Sequence, residues 1–293
     1  MIRIATFNIG LARLHKLGLT LFEAVPWQRQ RLPAIRDRLA ADRDGIDIWL
    51  LQEAYGPAVV RMLAATPGYR PASALEMGAD LGLMILVRRG VAISDTQVTL
   101  FPPVDWSEKY IARKGVMSVD IRTPDGPLRI GNLHMSYNGR SAASAAGAPA
   151  LRARQSDFAV DHMESDGAAG RLLLLGGDFN ASAAHEPETW RVPVDRGWTD
   201  CRQAAGDAFD SHGVCSWDLS NPATRGHGRN EDIDQIYMVD ARNGLHPQDP
   251  PPQPAIRARH FLHEPVVNVP DDDVERSPLS DHNGLAVEID LAP

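Results

Sequence analysis

The chain has 293 residues, 43% of them hydrophobic, with 38 acidic side chains against 30 basic ones and a formal charge of −8. That apolar share supports a substantial core, and no apolar run approaches the ~20 residues a membrane-crossing helix needs. The acidic balance argues against sequence-independent binding of long nucleic acids, which draws on basic contacts to phosphates, while leaving room for a local basic groove.

Ile2, Ile4 and Phe7 open the chain as a strand, and no signal peptide precedes them, so a cytoplasmic location is expected. Residues 11–26 are mildly apolar and irregular. Leu32, Ile35 and Leu39 recur at helical spacing, with arginines and aspartates placed on the opposite face and Gly45 as the stop. IDIWLLQE at 46–53 reads as a buried strand ending at Glu53, and 58–65 as a short helix halted by Pro67-Gly68. LGLMILVRR at 81–89 and the alternating stretch 91–100 are the next strands. GVMSVDIRT at 115–123 and PLRIGNLHM at 127–135 form a hairpin about Pro124-Asp125-Gly126. Residues 139–150, almost all Gly, Ala, Ser and Pro, read as a loose loop, followed by a helix from Arg152 to Met163. RLLLLGGDFN at 171–180 is a strand running into a glycine turn. IDQIYMV at 233–239 and GLAVEIDL at 284–291 are further strands. Residues 247–254 hold five prolines, which excludes a regular element, and 271–276 is charged and solvated. Either stretch fits a surface loop better than a lid. The elements interleave without linker or repeat, so one layered α/β domain over 1–293 is expected. The two cysteines, Cys201 and Cys215, stand in no CxxC spacing and read as ordinary thiols, which leaves zinc without support.

Several polar groups sit at the ends of apolar strands. Asn8 follows IATF, Glu53 follows IWLLQ, His134 follows IGNL, and Asp178 and Asn180 follow LLLLGG. Asp234 lies in the IDQIY strand, and Asp281-His282 precede the last strand. Burying such groups is costly unless they bond one another or an ion, and strand ends are where rigid scaffolds present reactive side chains. Taken singly, each has an ordinary reading: a turn asparagine, a helix cap, a hydrogen-bonded core histidine, a paired aspartate. The ordered set outweighs them.

That set resembles the endonuclease/exonuclease/phosphatase family, which includes deoxyribonuclease I, abasic-site endonucleases, neutral sphingomyelinases and inositol-phosphate phosphatases. The matching segments are TFNI at 6–9, LQE at 51–53, NLH at 132–134, GDFN at 177–180, IDQI at 233–236 and SDH at 280–282, in the family's order and spanning nearly the whole chain. The resemblance implies a four-layer α/β sandwich, two mixed β-sheets face to face with helices on the outer faces, and an active site at one end. It implies a phosphoric ester hydrolase using magnesium, with manganese as a substitute. Glu53 would be the principal metal carboxylate, with Asn8 beside it and Asp281 ligating directly or through water. Asp178 would orient or deprotonate the attacking water, Asn180 would contact a phosphate oxygen, and His282 would be the catalytic histidine held in one tautomer by Asp234. His134 would bind phosphate or donate a proton. Whether Asp178 or His282 is the base stays open at this level.

Within the family, ARKGVMSV at 112–119 resembles the sphingomyelinase-like branch and would bring Lys114 near the phosphate. The ordinary reading, a basic turn residue, stands equally. Arg154-Gln155 and CSWDLSNP at 215–222 resemble segments of the same branch, while Gln235 departs from that branch's tyrosine. Phe101, Trp106 and Tyr110 could mark a lipid-facing loop, but packing on the sheet is the favoured expectation. A phosphodiesterase acting on a phospholipid headgroup or small diester is therefore expected. The alternatives are a nuclease on DNA or RNA, a phosphomonoesterase on a small ester, or a noncatalytic scaffold of the same fold. A scaffold would be expected to have lost Glu53, Asp178 or His282, and all three are present.

Overall fold

Alternation along each strand decides which side chain enters which layer. The computed structural model describes residues 1–16, 19–23, 25–41, 45–72, 81–103, 108, 112–138, 142–165, 167–224, 226, 228–242, 254–269 and 276–290, without side chains at 13–16, 19–22 and 142–144. The first strand, β1 (Ile2–Asn8), is followed by a hairpin of β2 (Arg13–Lys16) and β3 (Leu19–Glu23). Helix α1 (Gln28–Ala40) then leads to β4 (Ile48–Gln52), α2 (Pro57–Ala64), β5 (Tyr69–Pro71) and β6 (Met84–Arg88). The meander β7 (Ala92–Leu100), β8 (Gly115–Thr123) and β9 (Gly126–His134) is connected through the long helix α3 (Ala142–Glu164) to β10 (Leu172–Asp178). After α4 (Pro187–Asp195) come β11 (Thr199–Asp200), α5 (Cys201–Ala205), β12 (Phe209–Asp210), β13 (Asp234–Asp240) and β14 (Ala255–Phe261). The short pair β15 (Val267–Asn268) and β16 (Arg276–Ser277) precedes the closing strand β17 (Gly284–Asp290).

Two mixed sheets result, ordered β12-β14-β17-β1-β4-β6-β5 and β11-β13-β10-β9-β8-β7. In β1 the even residues Ile2 and Ile4 enter the layer between the sheets, where they join Ile48, Leu50, Ile130, Leu172, Leu174 and Val287. The odd residues Ala5 and Phe7 face outward onto Ile35 and Leu39 of α1 and Val60 and Leu63 of α2. The second sheet does the same with α3 and α4: Leu133, Leu173 and Leu175 pack on Val160 and Met163, with Trp190 and Val194 at the margin. Each fully buried aliphatic side chain in these layers contributes about 1.5–3 kcal/mol of transfer free energy. Gly131 fixes the seat of α3, because a Cβ there would stand 2.5 Å from Met163 Sδ. The expected sandwich, helices outside two packed sheets, is the observed one.

Four local expectations are corrected. Residues 142–150 belong to helix α3 rather than a loop; alanine has the highest helix propensity, and Ala148 is buried against the fold. The stretch 11–26 contains the β2–β3 hairpin. Helix α1 ends at Ala40, short of Gly45. Its Arg31 is not on a solvated face but fully buried. Of the two low-order stretches, 247–253 and 271–275 lie outside the described residues. Neither cysteine is paired, and among the described residues no helix is long and apolar enough to cross a membrane.

Candidate active site

The layer between the sheets changes character along its length. One step beyond the aliphatic residues, the same strand faces present Thr6, Gln52 and Asn132, all buried. These satisfy one another: Gln52 Nε2 donates to Asn132 Oδ1 at 2.7 Å and to Thr6 Oγ1 at 3.1 Å. Asn132 Nδ2 donates to the carbonyls of Leu51 and Met84. Beside them on β10 stands Gly176, where a Cβ would meet Leu50 Cδ1 at 2.8 Å, so the sheets approach closely there. Two residues further along these strands lie Asn8, His134, Asp178 and, on the antiparallel β13, Asp234. Register makes the last three neighbours, since Asp178 pairs with His134 on one side and Asp234 on the other.

Asp178 is the centre of this layer. Its Oδ2 accepts from Asn8 Nδ2 at 2.9 Å and lies 3.3 Å from His134 Nε2 and 3.8 Å from His282 Nε2. Its Oδ1 accepts from the backbone N–H of Asn180 at 2.8 Å. His282 Nδ1 is 2.7 Å from Asp234 Oδ2, which fixes the ring by an acid–imidazole bond. Lys114 Nζ is 2.7 Å from His134 Nε2, the same nitrogen that lies 3.3 Å from Asp178 Oδ2, so the three groups meet at one point. Burial opposes charge throughout, yet the partners prevail at two groups. The charge and hydrogen bond of His134, with His282 and Lys114, hold the Asp178 carboxyl well below its usual range despite burial. Burial works against the His282 cation, but Asp234, Asp178 and Asp281 push its pKa up to about 10. Asp234 is raised, chiefly by burial, and Lys114 is lowered by burial against the fields of Glu53, Glu108 and Asp178. The geometry therefore favours an ionised Asp178 beside an imidazolium at 282.

The loops that hold this layer are braced by buried polar groups, some of them in the Arg154-Gln155 and CSWDLSNP segments. Arg31 of α1 donates to the carbonyls of Ile9, Gly10, Val25 and Leu279, tying the exit of β1 to the loop bearing Asp281 and His282. Ser216 Oγ accepts from the N–H groups of Ile233 and Asp234, while its carbonyl accepts from Asn283 N–H at 2.7 Å. Next to it the Trp217 ring meets the His282 ring edge-on at 5.0 Å. On the other side, Gln155 Oε1 accepts from Ser136 N–H and Arg152 Nη1 donates to the Ser136 carbonyl, fixing the chain just past His134. Arg31 could not be found from sequence, because helical spacing assigns it to the wrong face, whereas Ser216 lies in the CSWDLSNP segment at 215–222.

Oxygen donors gather around the exit of β1. Asn8 Oδ1 accepts from Gly10 N–H at 3.1 Å, and Glu53 Oε2 accepts from Ala12 N–H at 3.2 Å. A Cβ on Gly10 would stand 2.8 Å from Asp281 Oδ1, so this left-handed glycine makes room for that carboxylate. Glu53 itself adopts a left-handed conformation, φ 60°, at the end of its strand, a costly geometry for a non-glycine residue that is found most often at functional sites. Asp281 is raised by burial and by the nearby Glu53 charge, with His282 and Arg31 opposing. Two carboxylates and an amide oxygen around one loop fit a hard cation. A second set, Asp178, Asp234 and His282, has ligand atoms within 4.8 Å of one another and is a candidate metal site. Two of its atoms, however, are already joined by the 2.7 Å acid–imidazole bond.

The structure thus brings Asn8, Lys114, His134, Asp178, Asp234 and His282 into one contact network, with Glu53 and Asp281, from two separate segments, against the loop that follows Asn8. The Asn180 amide donates to the Met135 carbonyl at 3.1 Å, and this residue too is left-handed, φ 50°. Gln235, the departure from the branch pattern, donates to the Ala181 carbonyl. Phe101 is buried against the outer face of the second sheet, whereas Trp106 and Tyr110 lie outside the described residues.

No family model and no curated protein matches the chain at the level of sequence. Solved structures do match. D. rerio TDP2 complexed with a single-strand DNA product is 18% identical with a TM-score of 0.67, over 99% of this chain and 98% of that one. Beta toxin from Staphylococcus aureus is 14% identical with a TM-score of 0.72, over 98% and 99%. A mannosyl-6-phosphatase from Bacteroides thetaiotaomicron is 17% identical with a TM-score of 0.67, over 99% and 100%. At such identities the likeness is one of fold. End-to-end agreement in that fold gives this chain the deoxyribonuclease I-like α/β sandwich architecture.

Proposed function

We propose that the chain is a magnesium-dependent phosphoric ester hydrolase, acting as a phosphodiesterase by in-line attack of water. The observation that carries this reading is the single carboxylate Asp178, held at once by Asn8, His134 and His282. A carboxylate kept ionised in a buried site is suited to accept hydrogen bonds from the attacking water and so orient it, while its lowered pKa leaves it a weak proton acceptor. The imidazolium of His282, positioned by Asp234, is suited to take up negative charge as it develops on the phosphoryl or leaving oxygen. Lys114 and His134 would meet a phosphoryl oxygen from the opposite side of Asp178, and the Asn180 amide would contact a phosphate oxygen. Glu53, Asp281 and Asn8 would hold the magnesium ion, which when bound neutralises charge on the phosphoryl group. Manganese, an oxygen-preferring ion of similar demands, would substitute. The structural neighbours' names include a single-strand DNA product and a mannosyl-6-phosphatase; a phosphate ester is common to both, and that shared chemistry is what this reading adopts.

Hydrolysis of bis-p-nitrophenyl phosphate with and without magnesium tests the reading. The wild type is expected to turn it over only with the metal, and Asp178→Ala and His282→Ala to lose at least about 1,000-fold in rate. Activity that survives both substitutions would contradict it. A panel of plasmid DNA, abasic DNA, sphingomyelin, phosphatidylinositol phosphates and small mono- and diesters then ranks the substrate classes.

A further inference from the structure

Tyr55 stands two residues beyond Glu53 and has no place in the motif set. Its ring lies against Gly82: a Cβ there would be 2.6 Å from Tyr55 Cζ, and Gly82 is left-handed at φ +64°. A backbone bond of 2.9 Å from Ala54 N–H to the Gly82 carbonyl keeps the two segments together. Leu81, next to Gly82, reaches Gly115, whose Cβ would be 3.2 Å from Leu81 Cδ2. Gly115 follows Lys114 and is the register partner of His134. The tyrosine ring therefore packs on the Leu81-Gly82 segment, which adjoins the strand start that follows Lys114 and pairs with His134.

The Tyr55 hydroxyl is buried and has no hydrogen-bond partner among the described residues. It lies in the field of Glu53, Glu108 and Asp178, the same three carboxylates that surround Lys114 Nζ. A phenol is protonated at neutral pH, so the hydroxyl is a donor without an acceptor among the described residues. Native structures rarely leave a buried donor unused, and where they do a ligand, ion or catalytic role is the usual explanation. Its shelter does not set it apart, because Asp178, His134 and Lys114 are only 1%, 2% and 6% exposed.

We infer that Tyr55 is a substrate-binding residue whose hydroxyl donates a hydrogen bond to a nonbridging oxygen of the phosphoryl group held by Lys114 and His134. This rests on the hydrolase reading above and adds to it a neutral donor on the phosphate-facing wall. A phenol is suited to that place: it satisfies an anionic oxygen without adding a further charge to a buried site.

Tyr55→Phe removes one oxygen and keeps the ring against Gly82. With magnesium and bis-p-nitrophenyl phosphate, the variant should lose about ten- to a hundredfold in kcat/KM, mainly through a higher KM. Its melting temperature should be unchanged or higher, since an unsatisfied buried hydroxyl has gone. Inorganic phosphate, titrated calorimetrically in the presence of magnesium, should bind the variant about tenfold more weakly. Wild-type kcat/KM together with wild-type phosphate affinity in Tyr55→Phe would overturn the inference. So would a lower melting temperature with unchanged phosphate affinity. If the wild type hydrolyses no ester, the hydrolase reading fails by itself, and the phosphate titration still decides the role of Tyr55. A wild type that neither hydrolyses nor binds phosphate overturns both.

Discussion

The two ends of the layer between the sheets are built by the same strands and the same faces, yet one is an oil-like core and the other a cluster of charges. At one end Ile4, Ile48, Leu128, Ile130, Leu172 and Leu174 interlock. At the other, one or two steps along these strands, Asn8, His134, Asp178 and Asp234 meet. Between them Thr6, Gln52 and Asn132 form a neutral layer whose hydrogen bonds close on themselves. The difference teaches how a rigid scaffold carries buried charge. The aliphatic end supplies most of the favourable burial, the amide layer absorbs the change in polarity, and the charged end is held in place by the strands. Stability and activity should therefore separate along one face.

The sharpest break in that comparison comes from the charged end. Asp178→Ala and His282→Ala, expected to lose at least about 1,000-fold in hydrolysis, should keep the thermal transition of a folded protein, because the aliphatic end is untouched. Loss of folding in both would merge the two regions into one. At the aliphatic end Leu174→Ala should cost about 2–5 kcal/mol in denaturant unfolding, with kcat/KM changed far less than by either charged-end substitution. Equal activity losses would refute the separation. A smaller effect lies outside both ends, at His162 of α3. Its ring nitrogens are paired with Thr99 Oγ1 at 2.9 Å and Ser118 Oγ at 2.8 Å. Burial, and then the Arg129 charge, lower its pKa to about 4. Above the unfolded histidine value near 6.5 both states are neutral and the group costs nothing. As the pH falls from there, the unfolded chain takes up a proton the folded one refuses, and stability declines until about pH 4. The loss should be at most about 3 kcal/mol. Unfolding measured across pH 4–7 should show this slope, and His162→Gln should remove it.

Much of this was legible in the sequence. The strands beneath IATF, IDIWLLQ, GVMSVDIRT, LRIGNLH, LLLLGGD and IDQIYMV stand where their apolar runs place them. The site residues were legible for the same reason: each short polar group interrupts or ends such a run, and the six segments keep the order of a known family. The failures have physical causes. The start of α3 is nearly devoid of periodic large side chains, and its alanines signal helix only through propensity, which composition-based reading took for a loop. Strand β14, AIRARHF, alternates charged and apolar residues after a proline run and was overlooked. Arg31 follows helical spacing but is drawn inward by four carbonyl groups that only the folded loops bring together. Tyr55 carries no signal in the sequence, because an unpartnered hydroxyl is visible only in three dimensions.

The account's central claim is that Glu53, Asp281 and Asn8 hold a divalent cation against the phosphate-facing wall of Asp178, His134 and Lys114. Crystals grown with manganese and inorganic phosphate, measured at the manganese absorption edge, test it most directly. The account predicts one strong anomalous peak at about 2.2 Å from oxygens of Glu53 or Asp281, with phosphate beside Asp178 and Lys114. A peak centred instead on His282 and Asp234, or on a surface remote from all of these residues, would contradict it.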